Sequence, residues 1–455
     1  MSFLAKISFL LILSVSVAWA ESPSSSKLSD ELERQLIFSN QDDEELKVLV
    51  LYESVQNKAV QNLRGSQFIK FLKKQNAMIE NEVLKSQVSV LNHQESLWLI
   101  NGSVIQLNRS QIFELSQHPL VKSISLLNRQ PELMITESHE VLEPQAASGY
   151  TYGLEKLNVP ALRGKYIGLE GQGVSVGIID TGIDATHPDL VNKLKAFKDF
   201  STKKSETPLD DHGHGSHVAG TIAGGSESGT AIGVAPKVQL VVAKAFDAGG
   251  RTSEQALLSS LQWMMDPDGN PETDDAPQVI SNSWGLGGFL EKKDPATDPY
   301  CIAVANIKKA GIVPVFASGN SGPTASSVSV PAACPEALSV GATDEKDNLA
   351  NFSSRGPAKW KTVSLIKPEI SAPGVNIYSV KKGGGYVNNS GTSMATPHIA
   401  GVMAILVQAN PEATPDQLIQ ALVKGSTDLG SPGQDNQFGF GRADLLKSVG
   451  FLKNL

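Results

Sequence analysis

The sequence predicts a three-layer α/β domain with a mostly parallel sheet, preceded by a small α+β unit. Two observations predict it, one from each part of the chain. From about Tyr150 onward, short apolar, β-branched runs (Val174–Ile179, Val238–Ala243, Val279–Ser281, Ile312–Ala317) alternate with helical segments starting at His214 and near Ser253 and Pro299. Such runs suit parallel strands buried on both faces, and the alternation puts helices on either side of one sheet. Before that region, the order of elements reads β-α-β-β-α-β over residues 46–128, the pattern of a ferredoxin-like unit.

Within that first unit, Lys47–Tyr52 is a strand by length and branching. Val60, Leu63, Phe68, Phe71 and Leu72 recur at loosely helical spacing. Gln87–Leu91 and Leu97–Leu107 read as two further strands. Asn108 followed by Gln111 marks a helix start, with Ile112 and Leu115 on one face, and Val121–Leu127 closes the unit as its last strand. The stretch from Pro131 to Tyr150 carries few strong elements and reads as a linker.

The chain has 455 residues, 40% hydrophobic and 19% charged, so folded domains are expected throughout most of it. Its net charge of -8 argues against nucleic acid or an anionic membrane as the main partner. The first twenty residues have the form of an export signal. Lys6 supplies the positive end, and Ile7–Val17 is apolar but shorter than the ~20 residues of a membrane span. Ala18-Trp19-Ala20 offers small residues for cleavage after Ala20. A secreted (extracellular or periplasmic) product without a membrane span is expected, acting as a monomer. In an oxidising compartment Cys301 and Cys334 are either a structural disulfide or two buried thiols; a bridge outside the chemistry is expected.

The chemistry is carried by three separated motifs. Asp180 closes the Val174–Ile179 run, His214 opens Gly215-Ser216-His217-Val218-Ala219-Gly220, and Ser393 lies in Gly391-Thr392-Ser393-Met394-Ala395-Thr396-Pro397. A carboxylate that orients an imidazole, which in turn takes the proton of a hydroxyl, makes serine a nucleophile at neutral pH. The order Asp, His, Ser differs from that of the chymotrypsin and α/β-hydrolase triads. Ser393 precedes the apolar segment Ile399–Val407, so it falls at a helix start, where free N–H groups favour a developing oxyanion. Asn320, in Ala317-Ser318-Gly319-Asn320-Ser321-Gly322, can supply a second donor to that oxyanion.

These residues resemble those of the subtilisin-like serine proteases, the subtilases. Asp180-Thr181-Gly182, His214-Gly215-Ser216-His217 and Gly391-Thr392-Ser393-Met394-Ala395 match that family's three signatures. Asn282-Ser283-Trp284-Gly285, Phe352-Ser353-Ser354-Arg355-Gly356-Pro357, Lys367-Pro368-Glu369-Ile370-Ser371-Ala372-Pro373-Gly374 and the insertion Asp266–Pro277 are similar to its bacillopeptidase F-like branch. The resemblance implies a signal over 1–20, an inhibitory propeptide over 21–145 and a peptidase domain over 146–455. It implies a self-processing serine endopeptidase of protein and peptide substrates, with its own propeptide as inhibitor and a cut between about Thr136 and Tyr150. It further implies that Ser283, Trp284 and Gly285 pair with an extended substrate, and that Gly249 and Gly250 line the opposite side. Ser329 would lie near the floor of an uncharged first pocket, suggesting apolar or aromatic residues before the scissile bond. No cofactor is implied for the chemistry. A structural calcium is implied at Asp189, although Glu227 stands where the family has Asn; apart from that site, Ser216 replaces the family's usual Thr.

Two other readings stay open. The run His212-Gly213-His214-Gly215-Ser216-His217 could serve a metal-dependent hydrolase, although no further His occurs before His398. The fold could also serve a non-catalytic binding protein.

Overall fold

The computed structural model describes residues 27–38, 44–54, 58–87, 94–140, 149–287 and 290–453. The larger domain is a seven-stranded sheet flanked by helices on both faces. Across the sheet its strands run Ile370–Pro373, Leu338–Thr343, Val313–Ala317, Val279–Asn282, Ser175–Asp180, Gln239–Lys244 and Leu194–Asp199. Every neighbouring pair is parallel. Ser175–Asp180 and Val313–Ala317 are buried at every residue, which explains the apolar run of Val313–Ala317 and the apolar or glycine interior, Val176–Ile179, of the other. Parallel strands deliver their carboxyl ends to one edge, so Asp180 and the loop after Ala317 emerge on the same side.

The smaller domain holds an antiparallel sheet ordered Gln94–Leu97, Gly102–Leu107, Leu46–Tyr52, Val121–Leu126. Helices Gly65–Gln87 and Arg109–Ser116 complete β-α-β-β-α-β. The capping box at Asn108 and Gln111 is present, each side chain bonding the other's backbone N–H. Two local expectations need correction. Gln87 ends a 23-residue helix, residues 88–91 lie outside the described residues, and the strand is Gln94–Leu97. Leu97–Leu107 is broken by a 3-10 turn at Trp98–Ile100 and by Asn101, which takes a left-handed φ of 52°. The polar stretch before Leu46 contains helix Asp30–Phe38, which buries Leu32 and Leu36 one turn apart.

The two domains share one hydrophobic cluster, in which Leu49, Leu51, Phe68, Leu72, Leu97 and Leu99 join Leu258, Leu261, Tyr300 and Val304. Gln262 stitches the seam, accepting from Leu99 N at 3.0 Å and donating to Ser96 O at 3.1 Å. Arg129 closes it electrostatically. Its guanidinium, stacked 4.9 Å from the Tyr300 ring centroid, pairs with Glu254 and, at 2.9 Å, with Asp298. Both carboxylates are nearly sealed from water, and Asp298 also caps helix Pro299–Lys309. Cys301 of that helix is bonded to Cys334, 33 residues on, so the expected bridge is present and lies outside the strand-end edge.

Arg129→Met would leave two buried carboxylates facing each other without a cation. Breaking a buried ion pair in this way costs about 3–5 kcal/mol. Urea unfolding of the full-length chain, carried on a Ser393→Ala background so that self-cleavage cannot intervene, should lose stability of that order; adding Glu254→Gln should recover part of it.

Candidate active site

Asp180 is the last residue of its strand and is fully buried. Its Oδ1 accepts from Thr181 N at 2.7 Å and faces His214 Nδ1 at 2.7 Å. A carboxylate this deep is tolerable because both hydrogen-bond partners serve its charged form. His214 is held there by the first turn of helix His214–Ala223, and Asp210 anchors that turn. Asp210 Oδ1 accepts from Thr181 Oγ1, His212 N and Gly213 N; Oδ2 accepts from Ser216 N and Ser216 Oγ. Ser216 Oγ in turn accepts from Asp184 N at 2.9 Å. A serine hydroxyl thus does the bonding work at this position.

Ser393 is the second residue of helix Thr392–Ala409. Pro397 lies inside that helix and has no N–H to offer the Ser393 carbonyl four residues back. The Ser283 hydroxyl fills the gap, donating to Ser393 O at 2.9 Å. The Ser393 hydroxyl donates to Ser283 O at 2.8 Å, and its N–H donates to Met134 O at 3.0 Å. The structure therefore joins Asp180 to His214 directly, while Ser393 is bonded to Ser283 and Met134, and His214 Nε2 has no partner among the described residues. Asn320 Oδ1 accepts from Thr392 N at 3.0 Å and Thr392 Oγ1 at 2.9 Å, while its amide nitrogen is buried and has no partner among the described residues.

The segment read as a linker runs straight through this site. Pro131–Leu133 pairs antiparallel with Trp284–Leu286, setting Leu133 opposite Trp284 and Glu132 opposite Gly285. Met134 N donates to Ser283 O at 3.1 Å. Beyond it, Thr136 N and Oγ1 both donate to Ser390 O, and Glu137–Glu140 pairs antiparallel with Tyr386–Ser390. Only 141–148 of the expected linker lies outside the described residues. Glycine is required where the segment presses closest: a Cβ on Gly391 would fall 2.2 Å from Met134 O, and one on Gly285 would fall 2.6 Å from Met134 Cε and 2.3 Å from Ser329 Oγ.

The other expected residues divide. The Trp284 backbone pairs with the segment, but its side chain is a core anchor against Tyr300 and Phe316. Gly250 approaches Leu133, whereas the space beside Gly249 is filled by Arg251 and Asp247. Asp189 is buried with both oxygens engaged, Oδ1 by Glu227 N at 3.0 Å and Oδ2 by the Tyr386 hydroxyl at 2.6 Å. The three clustered imidazoles do not converge. His217 Nε2 faces Ile377 O at 2.9 Å, and burial pushes this ring down to about 3. His212 Nδ1 accepts from His214 N, and burial, then the neighbouring His214, lower its affinity for protons. Among the described residues, no group of three or more metal-ligating side chains contains a histidine.

Sequence reasoning missed Asp210 and Met134. The first had a signal, an acid shortly before a Gly-flanked helix start; the second had none that composition or spacing could supply.

The Subtilase family profile matches residues 171–441. Bacillopeptidase F of Bacillus subtilis (strain 168) is 32% identical over 387 residues, which are 78% of this chain and 26% of that protein. Serine protease AprX of the same strain is 36% identical over 305 residues, 62% of this chain and 67% of AprX. Subtilisin BL of Lederbergia lenta is 37% identical over 288 residues, 63% of this chain and 94% of that protein. The chain thus spans about a quarter of the length of bacillopeptidase F and about two thirds of AprX. With more than half of its residues inside the family profile and the buried Asp180–His214 pair at a strand end, the chain belongs to the subtilase family.

Proposed function

We propose that this chain is an exported serine endopeptidase made as a zymogen, with its own Met134–Ile135 bond seated as the first substrate. One observation carries the reading: the Met134 carbonyl oxygen accepts the Ser393 N–H while the chain on either side is paired as an extended strand. That is how a peptide would lie if Ser393 N–H and the unbonded Asn320 amide nitrogen were the oxyanion donors.

Rotation about the Ser393 Cα–Cβ bond moves its hydroxyl from Ser283 O to the unpartnered His214 Nε2. His214 takes the proton as Ser393 Oγ bonds to the Met134 carbonyl carbon. Asp180, bonded to Nδ1, fixes the ring and stabilises the imidazolium. The carbonyl oxygen, now an anion, keeps its bond from Ser393 N and gains one from Asn320 Nδ2. Collapse breaks the C–N bond, and His214 returns the proton to the Ile135 nitrogen. Water then attacks the Met134 ester through the same imidazole, releasing the acid and restoring the hydroxyl.

This reading moves the cut upstream of the Thr136–Tyr150 stretch expected from sequence. The unbranched Met134 side chain against Gly285 and Ser329 supports an apolar preference before the scissile bond. Residues 21–134 would serve as the inhibitory propeptide. The export signal over 1–20 lies outside the described residues; no helix among those described is long and apolar enough to cross a membrane.

Three outcomes test the proposal. The purified wild-type chain should acquire Ile135 as its new amino terminus by Edman sequencing, while Ser393→Ala stays intact; cleavage of the alanine chain without added protease would overturn self-processing. Asn320→Ala should lower kcat on a peptide substrate by about 10²–10³, the range for losing the equivalent donor in subtilisin, and leave fluorophosphonate labelling of Ser393 detectable. Met134→Asp should slow self-processing at least about tenfold by burying a charge in an uncharged pocket, whereas Met134→Leu should leave it within a few-fold.

A further inference from the structure

Far from the strand-end edge, the loop between helix Glu254–Met264 and strand Val279–Asn282 gathers Asp266, Asp268, Glu272, Asp274 and Asp275. Asp266, Asp268 and Asp275 each bring one carboxylate oxygen within 4.8 Å of the other two. The loop is held in shape by its own bonds: Asp268 N donates to Asp275 Oδ2, and Asn270 N and Thr273 Oγ1 donate to Asp268. Asp266 differs from its neighbours in being sealed from water, its side chain 1% exposed. Its Oδ1 has no hydrogen-bond partner among the described residues. Burial, and then the charges of Asp268 and Asp266, raise the Asp275 carboxyl above its ordinary value.

A cation already reaches this cluster. The Lys73 ammonium, from helix Gly65–Gln87 of the small domain, pairs with Asp266 Oδ2 and donates to Gly269 O at 3.2 Å. Two more residues on the same face of that helix touch the loop, Lys70 through Glu272 and Ser66 through Pro271 O at 2.5 Å. Lys73 is thus the ammonium that the small domain brings to these carboxylates, while Lys195 of the larger domain donates only to the Asp275 backbone carbonyl, at 3.3 Å.

We propose that the Asp266–Asp275 loop is a divalent-cation site, suited to calcium, and that Lys73 occupies it while the small domain is docked. The donors are all hard oxygens: three carboxylates and the Gly269 carbonyl, with water completing the about six to eight positions calcium takes. Because ammonium and metal claim the same oxygens, calcium binding and docking of the small domain oppose each other, and the opposition is reciprocal.

The test uses the full-length Ser393→Ala chain, confirmed intact by mass, so it does not depend on the peptidase reading. Calcium binding is measured by titration calorimetry. Adding Lys73→Met should tighten one site by at least about tenfold, and adding Asp268→Asn with Asp275→Asn should abolish that gain. No gain, or a gain that survives the two asparagines, overturns the assignment. A second readout covers the case in which Lys73→Met misfolds. In the Ser393→Ala chain, millimolar calcium should raise amide exchange along Gly65–Gln87, and the asparagine pair should suppress the rise; exchange unchanged by calcium overturns the competition.

Discussion

A carboxylate with no access to water, placed at the end of an interior strand of the sheet, is the constraint around which the larger domain is arranged. Burying Asp180 would be prohibitive if it were unpaired, since an isolated ionised carboxylate costs far more than a fold's net stability. The strand must therefore end where Thr181 N and His214 Nδ1 can both reach the same oxygen. That requirement fixes the start of helix His214–Ala223, and it passes the load to Asp210, which bonds five donors from both sides of the contact. The parallel sheet makes the arrangement economical, because every strand end that contributes to the site already faces the same edge. Ser393 reaches it by a different route, from a helix whose internal Pro397 frees a carbonyl for Ser283 to bind.

The same edge explains why the chain can lie in its own site. Trp284–Leu286 and Tyr386–Ser390 are short strands, each with a free pairing side, and Pro131–Leu133 and Glu137–Glu140 take those sides. Backbone pairing of this kind reads strand shape and tolerates many sequences, while side-chain pockets add selectivity. Here the close approaches at Gly285 and Gly391 leave no room for a side chain on the enzyme's side of the seam. On the proposed reading, selectivity would fall to the residue over Gly285, which in this chain is Met134.

Much of this architecture could be read from the residues, for identifiable reasons. The strands buried on both faces were visible because burial demands unbroken apolar runs, as in Ser175–Asp180. Asp180, His214, Ser393 and Asn320 were visible because their chemistry needs particular groups beside glycines. Leu194–Asp199 was not: an edge strand only partly buried can carry Lys195 and Lys198, and its pattern looks like a loop. Pro131–Leu133 and Glu137–Glu140 were invisible because three or four residues hold no periodicity, and their partners lie far away in sequence. The bonding of Ser393 to Ser283, with His214 Nε2 left without a partner among the described residues, could not be read either. It depends on a rotamer chosen while the site is filled.

The small domain is attached in two physically different ways, and this decides what a single cut accomplishes. Its helices and Arg129 bind the back of the larger domain through a shared apolar cluster and a buried ion pair. The Pro131–Met134 segment binds the strand-end edge through backbone hydrogen bonds. While the chain is continuous, the two attachments hold each other at high effective concentration, so loss of either is quickly reversed. Cutting Met134–Ile135 breaks none of these contacts. It removes only the tether through Glu137–Glu140, so that escape of the small domain becomes a true dissociation governed by the shared cluster, Arg129 and the Lys73 contact. Inhibition would then outlast cleavage, and the slow step toward an open site would lie in undocking the back surface, remote from the bond that was cut. On that reading, any ion or residue that weakens that surface would act on activity without touching Asp180, His214 or Ser393.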